Sequence, residues 1–490
     1  MKSTICSALA LTLAASVAHA QDLPQAQNAW FTAGQERIQA ELAKQPNTNV
    51  AKNVILMISD GNGVGSNYAT RVFAGQQDGG FGDDFIQHHE TFPNLALVKT
   101  YNVNAQTPDS AGTGTAMMAG VKTKIGVIGI DEDVVRGDCS TLEGNTVKSM
   151  NEIAHDMGKA TGIVSTARIT HATPASAYSK SVDRNFEASV PEGCDTQTDI
   201  ATQLIDAMEA GVIDVAMGGG MRNFHADEGG RREDGVNLIE RAEGLGAHFA
   251  MDQASFEAAP LDGTPILGLF ENSHMMYEAD RTDEPSLAEM TEAAITALQA
   301  SGGDNGFFLQ VEAGRVDHAN HATNAARMVR DGVAFAEAVA IADALTDDED
   351  TLIVVTADHE HALAFNGYCG RGSNILGLCM DIDNEGIGHT GEALLGDDGK
   401  PYTVIGYLNG ASSILREDMN WAGVRPDLTE EDATDIDYVQ QALIPKSSET
   451  HSGEDVAVYA KGPYGHLFDG TIEQNVIFHV MHHAMTTEAM

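Results

Sequence analysis

The chain has 490 residues, 42% of them hydrophobic, enough to bury a sizeable core. Its 28 basic and 72 acidic residues give a formal charge of −44, which argues against nucleic acid and anionic membranes as partners. Any pocket that takes an anion in such a chain needs local cations to overcome the general field. Most of the carboxylates read as a solvating coat for a salty medium.

Met1-Lys2 opens the chain with positive charge, and an apolar run from Ile5 to Val17 ends in Ala18-His19-Ala20. This pattern predicts a secretory signal over residues 1–20, a mature chain over 21–490, and a periplasmic or extracellular destination. No later stretch has eighteen uninterrupted apolar residues, so no membrane span is predicted. Cys6 leaves with the signal.

Val54-Ile-Leu-Met-Ile58 predicts a buried strand. Gly162–Val164, Val212–Met217, Phe307–Val311 and Leu352–Val355 predict four more. Helical patterns lie between them, over Val147–Met157, Ile200–Ala210, Leu287–Ala300 and Ala322–Leu345. Strands that alternate with helices predict an α/β fold, a mostly parallel central sheet with helices on both faces. About Phe365 to Leu443, Gly, Asn and Asp break the rhythm, and only Tyr402-Thr-Val-Ile405 reads as a strand. This stretch is predicted to be an irregular insertion. The α/β pattern resumes at Asp455–Tyr459 and closes with a helix from about Gln474.

Four cysteines remain after export: Cys139, Cys194, Cys369 and Cys379. They allow three pairings. Cys139–Cys194 with Cys369–Cys379 is the least tangled. A zinc site would want C-x-x-C spacing, which is missing.

Acids end three predicted strands: Asp60 after V-I-L-M-I-S, Glu312 after F-F-L-Q-V, and Asp358 after L-I-V-V-T-A. One such Asp usually caps the next helix. Three at the carboxyl ends of strands, where α/β folds bind ligands, point to a metal that offsets their repulsion. Asp317 and His321 are four apart at the start of a helical pattern and share one face. Their N and O donors suit zinc, as do Asp358-His359 and, before a late strand, His451. Two metals about 3.5–4 Å apart can clamp a phosphoryl displacement. A hard octahedral ion would prefer the oxygens of Asp60, Glu312 and Thr173.

Thr107-Pro-Asp-Ser110-Ala-Gly-Thr-Gly-Thr-Ala116 reads as a turn opening a helix. A serine there is either an ordinary cap or a nucleophile bathed in backbone N–H groups. Arg184, in Asp-Arg-Asn, is either a salt-bridge partner or a two-pronged phosphate clamp. Gly61-Asn-Gly-Val-Gly65 lacks the spacing of a dinucleotide loop and reads as room behind a metal-binding Asp60.

Ile58-Ser-Asp-Gly-Asn-Gly, Pro-Asp-Ser110-Ala-Gly-Thr, Thr170-His-Ala-Thr173-Pro-Ala, Asp183-Arg-Asn, Val311-Glu-Ala-Gly-Arg-Val-Asp-His, Thr356-Ala-Asp-His-Glu-His and Glu449-Thr-His-Ser-Gly-Glu-Asp-Val-Ala-Val-Tyr occur in this order. Together they closely resemble the alkaline phosphatase family. The resemblance implies hydrolysis of small phosphate monoesters through phosphorylated Ser110, with two zinc ions and one magnesium ion per subunit. It implies Asp317, His321 and His451 on the first zinc, and Asp60, Asp358 and His359 on the second. Asp60, Thr173 and Glu312 would hold magnesium, with His171 just outside. Arg184 and His318 would bind substrate. His171 and His318 follow the animal and marine bacterial branch, where the enteric type has Asp and Lys. Cys139–Cys194 also resembles a disulfide of the animal branch, and a further cation near Phe270, Glu271 and Asp280 would follow it. The insertion would be a crown-like region at a homodimer interface.

A phosphodiesterase on the same scaffold and an exported phosphate-binding protein are the rival readings. A binding protein would not need three histidines and five acids at strand ends and helix starts.

Overall fold

The computed structural model describes residues 23–416 and 423–487. The predicted signal over residues 1–20 lies outside them. Of the described residues, those from 47 onward form one compact unit and those up to 46 another. Within the latter, a helix spans Ala29–Ala43; Asn28 caps it by accepting from the Trp30 N–H, and none of its residues is buried.

The core of the larger unit is a ten-stranded sheet. In chain order its strands are β1 (Asn53–Ser59), β2 (Asn94–Lys99), β3 (Ala160–Arg168), β4 (Val215–Gly219), β5 (His248–Ala250), β6 (Ile266–Leu269), β7 (Phe307–Ala313), β8 (Thr351–Thr356), β16 (Val456–Lys461) and β17 (Thr471–Glu473). Their spatial order is β17-β2-β16-β8-β1-β7-β3-β4-β6-β5. Every pairing is parallel except the two that β16 makes with β2 and β8.

Helices cover both faces, so the central strands read as unbroken apolar runs. Along β1, Val54, Leu56 and Ile58 enter one core layer and Ile55 and Met57 the other. The first layer packs against the helices Ser110–Ala119, Met150–Asp156, Ile200–Glu209 and Val476–Thr486. The second packs against Val64–Gln77, Leu287–Gly302 and Ala325–Ala344.

The stretch after β8 has more strand than its sequence suggests. It holds β9 (Glu360–His361), β10 (Leu363–Phe365), β11 (Met380–Ile382), β12 (His389–Ala393), β13 (Ile405–Gly410), β14 (Ala442–Pro445) and β15 (His451–Ser452). They form small sheets: β10-β13-β14, β11-β12 and β15-β9. The strand expected over Tyr402–Ile405 begins only at Ile405, where pairing with Phe365 starts. Before it, Thr403 makes a single bridge to Leu378.

Cys139 pairs with Cys194 and Cys369 with Cys379, at Cα separations of 5.4 and 4.8 Å. The first bond spans 55 residues, including β3, and the second only 10. Loop-closure entropy then favours the first by more. Replacing Cys139 and Cys194 with serine is expected to cost about 4 kcal/mol, and replacing Cys369 and Cys379 about 3 kcal/mol, in denaturant unfolding. Equal, negligible losses would contradict this.

Candidate active site

The carboxyl ends of β8, β1 and β7 lie side by side in the sheet. Asp358 follows β8, Asp60 follows β1, and Glu312 ends β7 one residue early. All three side chains are fully buried. None serves as a helix cap: the next helices are capped at Gly63 and Gly314, without a side chain. Gly61 turns the chain after Asp60 with φ of +70°, and its N–H donates to Asp358 Oδ1 at 3.1 Å. A Cβ there would lie 2.5 Å from His361 Nε2, so only glycine fits.

Three groups of donors converge. Asp60, Asp358 and His359 form the first; Asp60, His171 and Glu312 the second; Asp317, His321, His361 and His451 the third. In the first, His359 Nε2 lies 3.3 Å from both Asp60 Oδ1 and Asp358 Oδ2. In the second, the Thr173 hydroxyl donates to Asp60 Oδ2 at 3.3 Å. Ser165 binds one oxygen of Glu312, and the other, Oε1, is buried without a partner.

In the third group, Asp317 Oδ1 lies 3.4 Å from His321 Nε2 and 3.2 Å from His451 Nε2. The Nδ1 of His321 donates to the Glu449 carbonyl at 2.7 Å, and that of His451 to the Pro108 carbonyl at 2.9 Å. With the proton on Nδ1, each Nε2 keeps a lone pair. Those two Nε2 atoms face each other at 3.1 Å. Two lone pairs so placed repel unless a cation lies between them. The unpartnered Glu312 oxygen and the packed carboxylates make the same demand. The donor sets therefore fit metal ions, with N and O donors in two groups and a carboxylate-rich set with a hydroxyl in the other.

Charge follows this geometry. Burial, reinforced by Asp358, Asp317 and Glu312, pushes the Asp60 carboxyl well above its usual range. Burial also raises Asp358, and takes Glu312 up to about 7. Burial would raise Asp317 too, but His321, His361 and His451 outweigh it and hold it well below.

Ser110 sits among these groups, its Oγ 3.3 Å from His359 Nε2 and 3.4 Å from Asp60 Oδ1. It is the first residue of its helix, and the cap is Asp109, which accepts from the Gly112 N–H at 3.2 Å. The serine hydroxyl is thus not spent on capping. Arg184 NH1 donates to Asp109 Oδ2, and NH2 to His171 Nε2, both at 3.0 Å. Burial would lower the Arg184 pKa, but Asp109 raises it, so its charge is secure.

The structure thus gathers Ser110, Asp60, Asp317, His321, Asp358, His359, His451, Thr173, Glu312, His171 and Arg184. His318 lies beside them, its ring 5.6 Å from that of His171. Asp280 does not join a donor cluster. Arg327 holds it through two bonds of 2.7 and 3.1 Å, and among the described residues neither it nor Glu271 belongs to a convergent group. The acid that feels Glu271 is instead Glu284, already neutralised by Arg281 at 2.9 Å.

Sequence reasoning gave no role to His361 or Glu449. His361 Nε2 donates to Asp317 Oδ1 at 2.8 Å and its Nδ1 binds Glu449 Oε2. Burial would lower its pKa, but the two carboxylates raise it to about 10. The signal was present: His359 and His361 are two apart, as residues on one side of an extended segment are.

The sequence model of the family described as alkaline phosphatase matches residues 51–487. Tissue-nonspecific alkaline phosphatase of Rattus norvegicus is 38% identical over 93% of this chain and 88% of its own. The alkaline phosphatase of Gadus morhua is 39% identical over 93% and 96%. Among solved structures, that of Thermus thermophilus alkaline phosphatase covers 91% of this chain and 93% of its own, with a TM-score of 0.65 at 24% identity. That of the Antarctic bacterium TAB5 covers 90% and 100%, with a TM-score of 0.60 at 23% identity, and these two share the fold. On the strength of matches that run over nearly the whole length, the chain belongs to the alkaline phosphatase family, whose members are phosphomonoesterase hydrolases.

Proposed function

We propose that Ser110 is the nucleophile of this phosphatase and that the three donor groups hold two zinc ions and one magnesium ion. Asp317, His321 and His451 hold the first zinc; Asp60, Asp358 and His359 the second; Asp60, Thr173 and Glu312 the magnesium, with His171 beside it. A variant of the TAB5 protein has Mg bound in a site called M3, which supports a magnesium position here. The observation that carries the reading is the buried Ser110 Oγ between His359 and Asp60.

Bound ions would offset the carboxylate charge and make the Ser110 hydroxyl and a water acidic enough to react near alkaline pH. Ser110 Oγ attacks phosphorus, the bond to the leaving oxygen breaks, and a phosphoserine forms. Water then cleaves that ester, freeing phosphate and restoring the hydroxyl. Arg184, steered by Asp109, presents its fork to the oxygens of the phosphoryl group, and the N–H groups opening the Ser110 helix assist. His318, its ring 5.6 Å from that of His171, would add a contact to the bound phosphate group. His361 acts through Asp317, fixing that carboxylate with one proton while Glu449 takes the other.

We further propose export with loss of residues 1–20 and assembly as a homodimer through the insertion at 365–443. Tyr368, Ile387, Leu395, Leu408 and Leu443 leave large apolar area exposed on that insertion, which supports a covering partner.

Ser110→Ala is expected to lower monoester turnover by about a thousand-fold or more with metal content unchanged. Chelation should abolish turnover and lower the melting temperature, and zinc with magnesium should restore both. Turnover within a few-fold of wild type in Ser110→Ala would remove the serine from the mechanism, and better hydrolysis of diesters than of monoesters would favour the diesterase reading. His361→Ala should weaken zinc binding by about 10–100-fold in competition with a chelating dye, while Ser110 remains phosphorylatable at saturating zinc. Light scattering on the secreted protein should give twice the mass of a chain that starts near Gln21; a monomer would reject the dimer.

A further inference from the structure

The carboxyl edge of the sheet changes sign partway along. β8, β1 and β7 deliver Asp358, Asp60 and Glu312. Continuing through β7, β3 and β4, the residues become basic: Arg315 and His318 after β7, Arg168 and His171 at the end of β3, and Arg222 after β4. The Arg231 N–H donates to the Arg222 carbonyl at 2.7 Å, which brings the Arg231 backbone beside Arg222, and the charge of Arg231 acts on Arg222. The loops touch: a Cβ on Gly220 would lie 3.0 Å from Arg168 Cβ.

Arg168 ties the rim together. Its Nε and NH2 each reach Glu187 at 2.7 Å, and NH1 meets His274. The His274 ring lies 4.0 Å from His318 and 5.2 Å from His171.

Among the described residues Arg222, Arg231 and Arg315 make no ion pair within 4 Å, although Glu187 acts on Arg222 from further off and Asp331 and Glu284 on Arg315, in a chain with 72 acids to 28 bases. The Nε atoms of Arg222 and Arg315 are buried and make no hydrogen bond. The Arg315 guanidinium lies 3.7 Å over the Tyr277 ring, which covers its face and leaves its donor edge free. Beyond burial, Arg231 and Arg168 push the Arg222 pKa down, a sign of positive charge that Glu187 alone does not offset.

We propose that this rim, with Arg222 and Arg231 at its centre, is a second anion subsite that takes the distal phosphate of a bisphosphorylated substrate. The proposal rests on the scissile phosphate sitting at Ser110. The path from there runs through Arg184, His171, His274 and Arg168, several side-chain contacts long. Two adjacent phosphates would not reach across those intervening side chains, so the second phosphate must sit on a spacer, for which a sugar is the probe chosen. Arginine forks suit such a group and gain from partial exclusion of water.

The test compares fructose 1,6-bisphosphate with fructose 6-phosphate on the metal-loaded enzyme. Wild type should favour the bisphosphate in kcat/KM by about ten-fold, and R222Q/R231Q should bring the ratio close to one, mainly through KM, with monophosphate turnover within about two-fold of wild type. Arg231→Gln alone, at an exposed position, should lower the ratio part of the way and guards against misfolding of the double variant. An unchanged ratio overturns the proposal. So does an equal fall for both substrates, which would mean general attraction of anions with no subsite. Failure of the Ser110 assignment would show separately, as monophosphate turnover that survives Ser110→Ala.

Discussion

Three carboxylates buried together at the ends of adjacent parallel strands are the constraint on which the rest of the structure depends. Asp60, Glu312 and Asp358 are each 0% exposed. Ionised carboxylates without counter-charge in such a place cost several kcal/mol each. Their upward pKa shifts express that cost as proton uptake. A metal bound among them would replace those protons, so metal affinity and folding stability would become one linked quantity. The sheet supplies the rigidity: six parallel partners join β1 to β7 and six join β1 to β8, so the three strand ends are held in fixed register.

The same edge explains how a chain of charge −44 handles an anionic substrate. At physiological salt, fields from distant surface charges fade within about 8 Å. On the proposed reading, what the substrate meets is set locally, by the donor groups that would hold metal on one side and arginines on the other. Arg184 stands between the two halves. It is partly buried, and its partners are a carboxylate and an imidazole, so its donors are oriented without being fully used.

The centre of the fold was readable in the sequence and its margins were not. β1, β7 and β8 are covered on both faces, and that burial leaves unbroken apolar runs in the chain. β2 alternates buried and exposed residues beside polar neighbours, and β5 has only three residues, so neither stands out. The helix Val64–Gln77 is masked by the glycines before it, which serve the packing of Gly61 and Gly63 against His361 and Glu360. Residues of the site were legible where an acid follows an apolar run or spacing places two donors on one face. His361, Glu449 and Asp109 were not given roles, because each acts on another side chain. Asp280 stands apart from the donor groups: its acidity is visible in sequence, but the Arg327 that pairs with it is 47 residues away.

Asp109 shows how those indirect roles combine. Its Oδ1 accepts from the N–H groups of Gly112 and Gly126, at 3.2 and 3.0 Å, and its Oδ2 accepts from Arg184. Its own N–H donates to Asn102 at 3.0 Å. One carboxylate therefore starts the helix, joins it to the loop that leads toward β3, and aims the guanidinium. Because it caps, Ser110 need not, and a hydroxyl at the first helical position is left facing His359 and Asp60. A neutral side chain at 109 could satisfy the amides but would leave Arg184 to the other acids that act on it, Asp60 and Asp317, which the proposed reading assigns to metal. The negative charge of the cap thus protects the charge balance of the whole centre.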